Sequence, residues 1–266
     1  MSLLDRYQVH QQIKTVIKIY PGIIRLYKFS TPFMVRRFDY DPYNPNRKRK
    51  SGNIDEEESE RKSLKRSKSN LIDICLCNGF DLFVTFTFKD NRRDIEAKRQ
   101  QMAFWLNNQR ILHGPFKYAI VMELHKDGAP HFHALFAEYK GKLKKSGRSD
   151  DAGRKIYNIK SYRGGFTTAV KIDNIEKTSA YIAKYITKDM PRLRNKQRYW
   201  CSNGLKKPLK IVNPLLTESD LKLFNSSFKK KNMEIFDYRG EMSDMTLARI
   251  SDFGRQRVDD LIVSEW

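Results

Sequence analysis

Cysteine is scarce in this chain: three in 266 residues, at Cys75, Cys77 and Cys201. The count is odd, the first two sit too close for an ordinary bridge, and no CxxC pair occurs. That excludes a disulfide framework and a zinc module, and fits a reducing compartment. Long apolar runs are also missing. No stretch approaches the ~20 residues of a membrane span, and "MSLLDRYQVHQQIK" holds no apolar core of signal-peptide length. The expectation is a cytoplasmic protein with no membrane partner. Negative charge is in deficit: 31 Asp and Glu stand against 52 Lys and Arg, for a net charge of +21. Such a surplus repels itself unless a polyanion shares the surface, so nucleic acid is the first partner implied. The apolar share of 39% with 12% aromatics is ample for a globular core.

The chain reads as four segments. Residues 1–38 hold an N-terminal β-hairpin extension, because "IKTVIKIYPGIIRLYKF" (13–29) alternates apolar with polar positions on both sides of Pro21-Gly22. Residues 39–60 are expected to form a flexible charged linker: "DYDPYNPNRKRKSGNIDEEESE" has few apolar residues and carries its charges in same-sign blocks. Residues 61–210 form the main domain, and 211–266 a C-terminal extension in which "TESDLKLFN" starts like a capped helix.

Within the main domain the periodicity predicts a helix that ends at Asn78-Gly79, then a buried strand at "DLFVTFTF" (81–88). An amphipathic helix follows over 91–112, offering Ile95, Met102, Trp105, Leu106 and Ile111 to the core. Strands at 116–125 and 131–139 flank the turn "KDGAP". Residues 140–155 read as a polar excursion, 163–172 as a strand, and 174–190 as a helix ending before Pro191. This order predicts an α+β fold, a central antiparallel sheet flanked by helices.

Histidine is rare as well, with five in the chain, yet "GAPHFHALFAEY" (128–139) pairs two of them one residue apart. In a strand, His131 and His133 project to one face. If the turn centres on Gly128, His125 faces His131 and Glu123 faces His133, and all four side chains share that face. Two imidazoles and a carboxylate at cross-strand separation can share one divalent cation, and the open positions and donor mix suit Mn²⁺ well. His125 could ligate, hydrogen-bond a ligand or line the pocket. The alternative for each ring is ordinary packing.

A second constellation follows. "AYIAKYITKD" (180–189) places Tyr181, Lys184 and Tyr185 at i, i+3 and i+4 on one helical face. A tyrosine oxygen can attack phosphorus and leave a covalent phosphotyrosine, provided something helps it lose a proton whose free pKa is near 10. Packing of two tyrosines onto a sheet is the alternative.

Taken in order, "DLFVTFTF", "HFH" with an upstream glutamate, and "YIAKY" resemble the three motifs of HUH endonucleases. More narrowly they resemble the rolling-circle replication initiators of small bacterial plasmids and single-stranded DNA phages. "YIAKYITK" is especially like the paired-tyrosine motif of the phage initiators, and "RYWCSNGLKKP" (198–208) fits the same group. The resemblance implies an antiparallel, RRM-like core. It implies that His131, His133 and Glu123 bind Mg²⁺ or Mn²⁺, that Tyr181 is the first nucleophile and Tyr185 the second, and that Lys184 stabilises the reacting phosphate. The implied reaction is nicking and joining of single-stranded origin DNA through a 5′-phosphotyrosine, inside a bacterial host cell. The chain has no GxxxxGK[ST] loop, so unwinding is expected from a host helicase and the host replication machinery. Tyr162, Phe166, Tyr199 and Trp200 are candidates for stacking on unpaired bases or for core packing. Two other readings compete: a basic nucleic-acid-binding regulator without catalysis, and an HUH transposase or relaxase.

Overall fold

The computed structural model describes residues 10–36, 56–188, 190, 198–212, 235–240 and 243–249. The fold is α+β. Two compact units divide the chain: residues 53–207, and the flanking segments 1–52 and 208–266 together.

The flanking unit contains a five-stranded antiparallel sheet. β1 (His10–Tyr20) and β2 (Ile23–Arg36) form the expected hairpin through Pro21-Gly22, where Gly22 takes a positive φ of 77°. β1 also pairs with β10 (Leu209–Val212), and β2 with β12 (Ser243–Arg249), which in turn pairs with β11 (Ile235–Gly240). The segments expected to be separate extensions are therefore strands of one sheet. The basic run 47–50 and the stretch 217–225 lie outside the described residues.

The main unit opens with α1 (Glu56–Cys77), which begins inside the stretch expected to be linker. Glu56, Glu57 and Glu58 occupy its first turn, where the helix dipole favours negative charge. The helix stops as read: Gly79 takes φ 60°, and the Asn78 amide donates to Ile74 O (2.7 Å) and Lys206 O (2.9 Å). Arg198, buried, forms an ion pair with Glu60 of the same helix.

Seven antiparallel strands form the second sheet. They are β3 (Leu82–Phe86), β4 (Lys117–Leu124), β5 (Pro130–Ala137), β6 (Leu143–Ser149), β7 (Lys155–Ile159), β8 (Thr167–Lys171) and β9 (Trp200–Cys201). Their spatial order is β6-β7-β8-β3-β5-β4-β9. Residues 140–155, expected as an irregular excursion, instead build β6 and the start of β7. α2 (Ile95–His113) starts at the N-cap Asp94, whose carboxylate accepts from Ala97 N–H. α3 (Ile175–Lys184) starts at Asn174, which accepts from Lys177 N–H. α3 ends earlier than Pro191 predicted: Tyr185 is already its C-cap.

The two faces of the sheet differ. One carries Phe86, Phe132 and Phe136, none with measurable exposure, against Trp105 of α2. Tyr162 completes this aromatic cluster, with its ring 5.1 Å from Phe86. Ile111, expected in this core, is 72% exposed, because it lies on the opposite side of α2 from Met102 and Trp105. The other face receives α3, through Phe83 and His133.

Phe86 sits at the centre of the aromatic cluster, so Phe86→Ala is expected to cost about 3–5 kcal/mol in urea unfolding. Burial also fixes a pH response. It pushes the Cys201 thiol and the Tyr199 phenol up to about 12. The ordinary values are near 8.5 and 10. The folded state thus keeps protons that the unfolded chain releases. The stability this gives is complete below pH ~8.5 and is lost as pH rises through the folded values. The urea midpoint should fall between pH ~8 and pH ~10.5, and Cys201→Ala should flatten the decline.

Candidate active site

The site is built on β3, β4 and β5, with α3 laid over them. β5 is the middle strand. Across it, Thr85 of β3 pairs with His133, which pairs with Val121 of β4. Glu123 pairs with His131. The expected register, with Glu123 opposite His133 and His125 opposite His131, is therefore off by two residues. The cause lies in the turn. Gly128 N–H donates to His125 O (2.8 Å), and Gly128 takes φ 82°. Gly128 thus fills the left-handed position after a type I turn instead of the apex. The hairpin centres on Asp127, whose carboxylate accepts from Ala129 N–H at 3.0 Å. A two-residue slip preserves strand parity, so Glu123, His131 and His133 still share a face.

His133 is the most enclosed of the three, at 5% exposure. Its Nε2 lies 2.8 Å from Glu123 Oε2, and its Nδ1 lies 3.1 Å from Thr85 Oγ1. Burial holds the ring below the ordinary histidine pKa, against the opposing pull of Glu123. A neutral ring facing a carboxylate carries its proton on Nε2, so Thr85 donates to Nδ1. His131 is half-buried, and burial lowers its pKa too, followed by the neighbouring charge of His125. Its ring stacks on His125, centroids 5.1 Å apart. His125 itself belongs to the turn, 3.4 Å from Asp127, and Asp127 is held by Arg92 at 2.6 Å.

The structure thus brings Glu123 and His133 into contact and leaves His131 on the same face with a different partner. Among the described residues, no three His, Cys, Asp or Glu side chains are gathered in a metal-holding group. In kind, two imidazoles and one carboxylate suit a divalent cation. Thr85 on the far nitrogen of His133 is the type of outer partner that orients a ligating imidazole.

Both tyrosines of α3 reach this face. The Tyr185 ring lies flat on the His133 ring, centroids 3.7 Å apart and planes within 8°. Its hydroxyl donates to the Tyr181 oxygen at 2.6 Å. Burial, then the Tyr181 hydrogen bond, pushes the Tyr185 phenol above its ordinary value. Tyr181 is 45% exposed, its ring edge-on to Phe83 at 5.7 Å. The Lys184 ammonium stands 5.8 Å from the Tyr181 ring centroid. The two phenols are therefore unequal: Tyr181 is the open one and accepts a hydrogen bond, while Tyr185 is half-buried and donates it.

Residues 81–190 match the model of a family of replication-associated proteins, described by its ORF2 members. The matched segment runs from β3 through α3 and contains every side chain of this site. No curated protein and no solved structure matches the chain.

Thr85, Phe83, Asp127 and Arg92 did not emerge from the sequence as site residues. The signal for the first two was present: in "FVTFTF", alternation puts Phe83 and Thr85 on one face, and Thr85 is a polar residue inside an apolar run.

Glu123→Ala should leave His133 Nε2 buried without an acceptor, at a cost of about 1–3 kcal/mol in chemical unfolding. Glu123→Gln, which keeps an acceptor oxygen, should recover most of it.

Proposed function

We propose that this chain initiates rolling-circle replication by nicking and joining single-stranded origin DNA. One observation carries the reading: a hydrogen-bonded tyrosine pair is stacked on a histidine that itself contacts a carboxylate, in a segment that matches a replication-associated family. The net charge of +21 supplies the attraction for DNA.

The phenolic oxygen of Tyr181 attacks a phosphodiester phosphorus. The new bond joins that oxygen to the 5′ phosphate, the bond to the 3′ oxygen breaks, and a free 3′ hydroxyl leaves with a proton. One phosphate ester replaces another, so rejoining needs no ATP. Tyr185 supports the step by donating to the Tyr181 oxygen as negative charge grows on it. Lys184 adds positive charge beside the same ring. His131, His133 and Glu123 would hold Mg²⁺ or Mn²⁺, which when bound polarises a phosphoryl oxygen as a Lewis acid. Tyr185, half-buried and second to the phosphate, takes the later attack that closes a round.

The test uses purified protein, Mn²⁺ and single-stranded oligonucleotides tiling the DNA around its gene. The expected product is a covalent protein–DNA adduct on a denaturing gel. Tyr181→Phe should abolish it, and Tyr185→Phe should spare the first cleavage while impairing rejoining. EDTA should stop nicking and leave salt-sensitive DNA binding in place. No adduct with any of the oligonucleotides overturns the proposal. Normal cleavage by Tyr181→Phe with none by Tyr185→Phe reverses the two roles.

A further inference from the structure

Four aromatics outside the paired motifs are candidates for stacking on bases, and the structure separates them. Tyr162 is buried against Phe86 and Trp105. Trp200 is packed edge-on to Phe132, and Tyr199 is half-buried against the core. Phe166 is different: it is 78% exposed, the most exposed of the large hydrophobic side chains described.

Its backbone is nevertheless fixed. Thr87 N–H donates to Phe166 O (2.9 Å), and Phe166 N–H donates to Thr87 Oγ1 (3.2 Å). Lys89 N–H donates to Gly164 O at 3.0 Å. Gly165 is pressed so tightly onto β3 that a Cβ there would lie 2.2 Å from Thr87 O. An apolar ring on a mobile loop would be unremarkable. A ring held out into water by a clamped backbone loses little further freedom when something binds to it.

Its position is specific too. Thr85 pairs with Thr168 on one side and with His133 on the other. Phe166 lies two residues before Thr168, and His131 two before His133. Alternation therefore puts Phe166 on the face that carries His131 and His133. β8, β3 and β5 are neighbours, so Phe166 and His131 are two strand spacings apart, about 10 Å. Thr168, the adjacent residue on that face, is exposed, so this corner of the sheet is open. Beyond it, next to β8, the β6–β7 hairpin presents exposed Lys144, Lys145, Arg148 and Lys155.

We infer that Phe166 is a stacking platform for one unpaired base of the single strand that enters the tyrosine site, with the β6–β7 hairpin attracting the adjoining phosphates. This rests on the function proposed above and adds a second contact point to it. A flat aromatic face accepts any base and rejects a paired duplex, whose bases are already stacked.

The test measures binding of the full-length protein, by fluorescence anisotropy over a salt series, to a labelled oligo-dT and to a duplex of equal length. Phe166→Ala should weaken single-strand binding about 5- to 100-fold. Duplex binding should change less than about twofold, and the salt slope should stay the same because no phosphate contact is lost. Phe166→Trp should bind as the wild type does. Circular dichroism should be unaltered in both variants, since the side chain packs on little. Wild-type single-strand affinity in Phe166→Ala overturns the inference and assigns the exposed ring to a protein partner. Equal loss on single strand and duplex, or failure of Phe166→Trp to restore binding, overturns it as well. If the wild type binds no single strand, the replication reading fails together with this one. If the wild type binds and forms the adduct while Phe166→Ala does the same, only the stacking assignment fails.

Discussion

The site depends on one side chain, the buried imidazole of His133. Thr85 holds one ring nitrogen, Glu123 the other, and the Tyr185 ring covers its face. Each partner comes from a different element: β3, β4 and the end of α3. A buried polar ring without partners would cost more than it contributes, so these elements are tied to one arrangement. The tyrosines are positioned through the same ring. Tyr185 stacks on it, and the hydroxyl of Tyr185 then sets the proton pattern at Tyr181.

The opposite face of the sheet makes that arrangement rigid. Phe86, Trp105, Phe132, Phe136 and Tyr162 form a dry aromatic layer under the strands that bear the polar residues. Strand alternation divides the labour: the odd-numbered residues of β3, Phe83 and Thr85, serve the site, and the even-numbered Val84 and Phe86 serve the core. Binding and chemistry can then occupy one surface without disturbing the packing that supports it.

Much of this was legible in the sequence because it rests on parity. "FVTFTF" and "HFH" assign faces by alternation, and a two-residue register slip leaves those faces intact. The slip itself was not legible, since Gly128 looks like the apex of a turn but serves as the left-handed residue after one. β6 was missed because its residues are polar on both faces, so no alternation marks it. Ile111 was placed in the core because an apolar residue on an amphipathic helix has the same letter whichever way it points. The Glu123–His133 contact and the Tyr185 stack depend on side-chain conformations that spacing does not encode. Least legible was the flanking sheet, whose partners are separated by most of the chain.

That separation has a consequence for how the protein is made. β1 and β2 leave the ribosome first, and a lone two-stranded hairpin is marginal in water. The strand that covers the open side of β2, β12, begins at Ser243. At ordinary synthesis rates it arrives roughly 10 to 40 seconds later. Throughout that interval the site-bearing unit has all its own residues before the other has its last strands. The unit with the tyrosines can therefore fold first, and the outer sheet closes last, as synthesis reaches the C-terminal strands. Until then β2 presents an uncovered edge, open to pairing with the same hairpin on a neighbouring nascent chain.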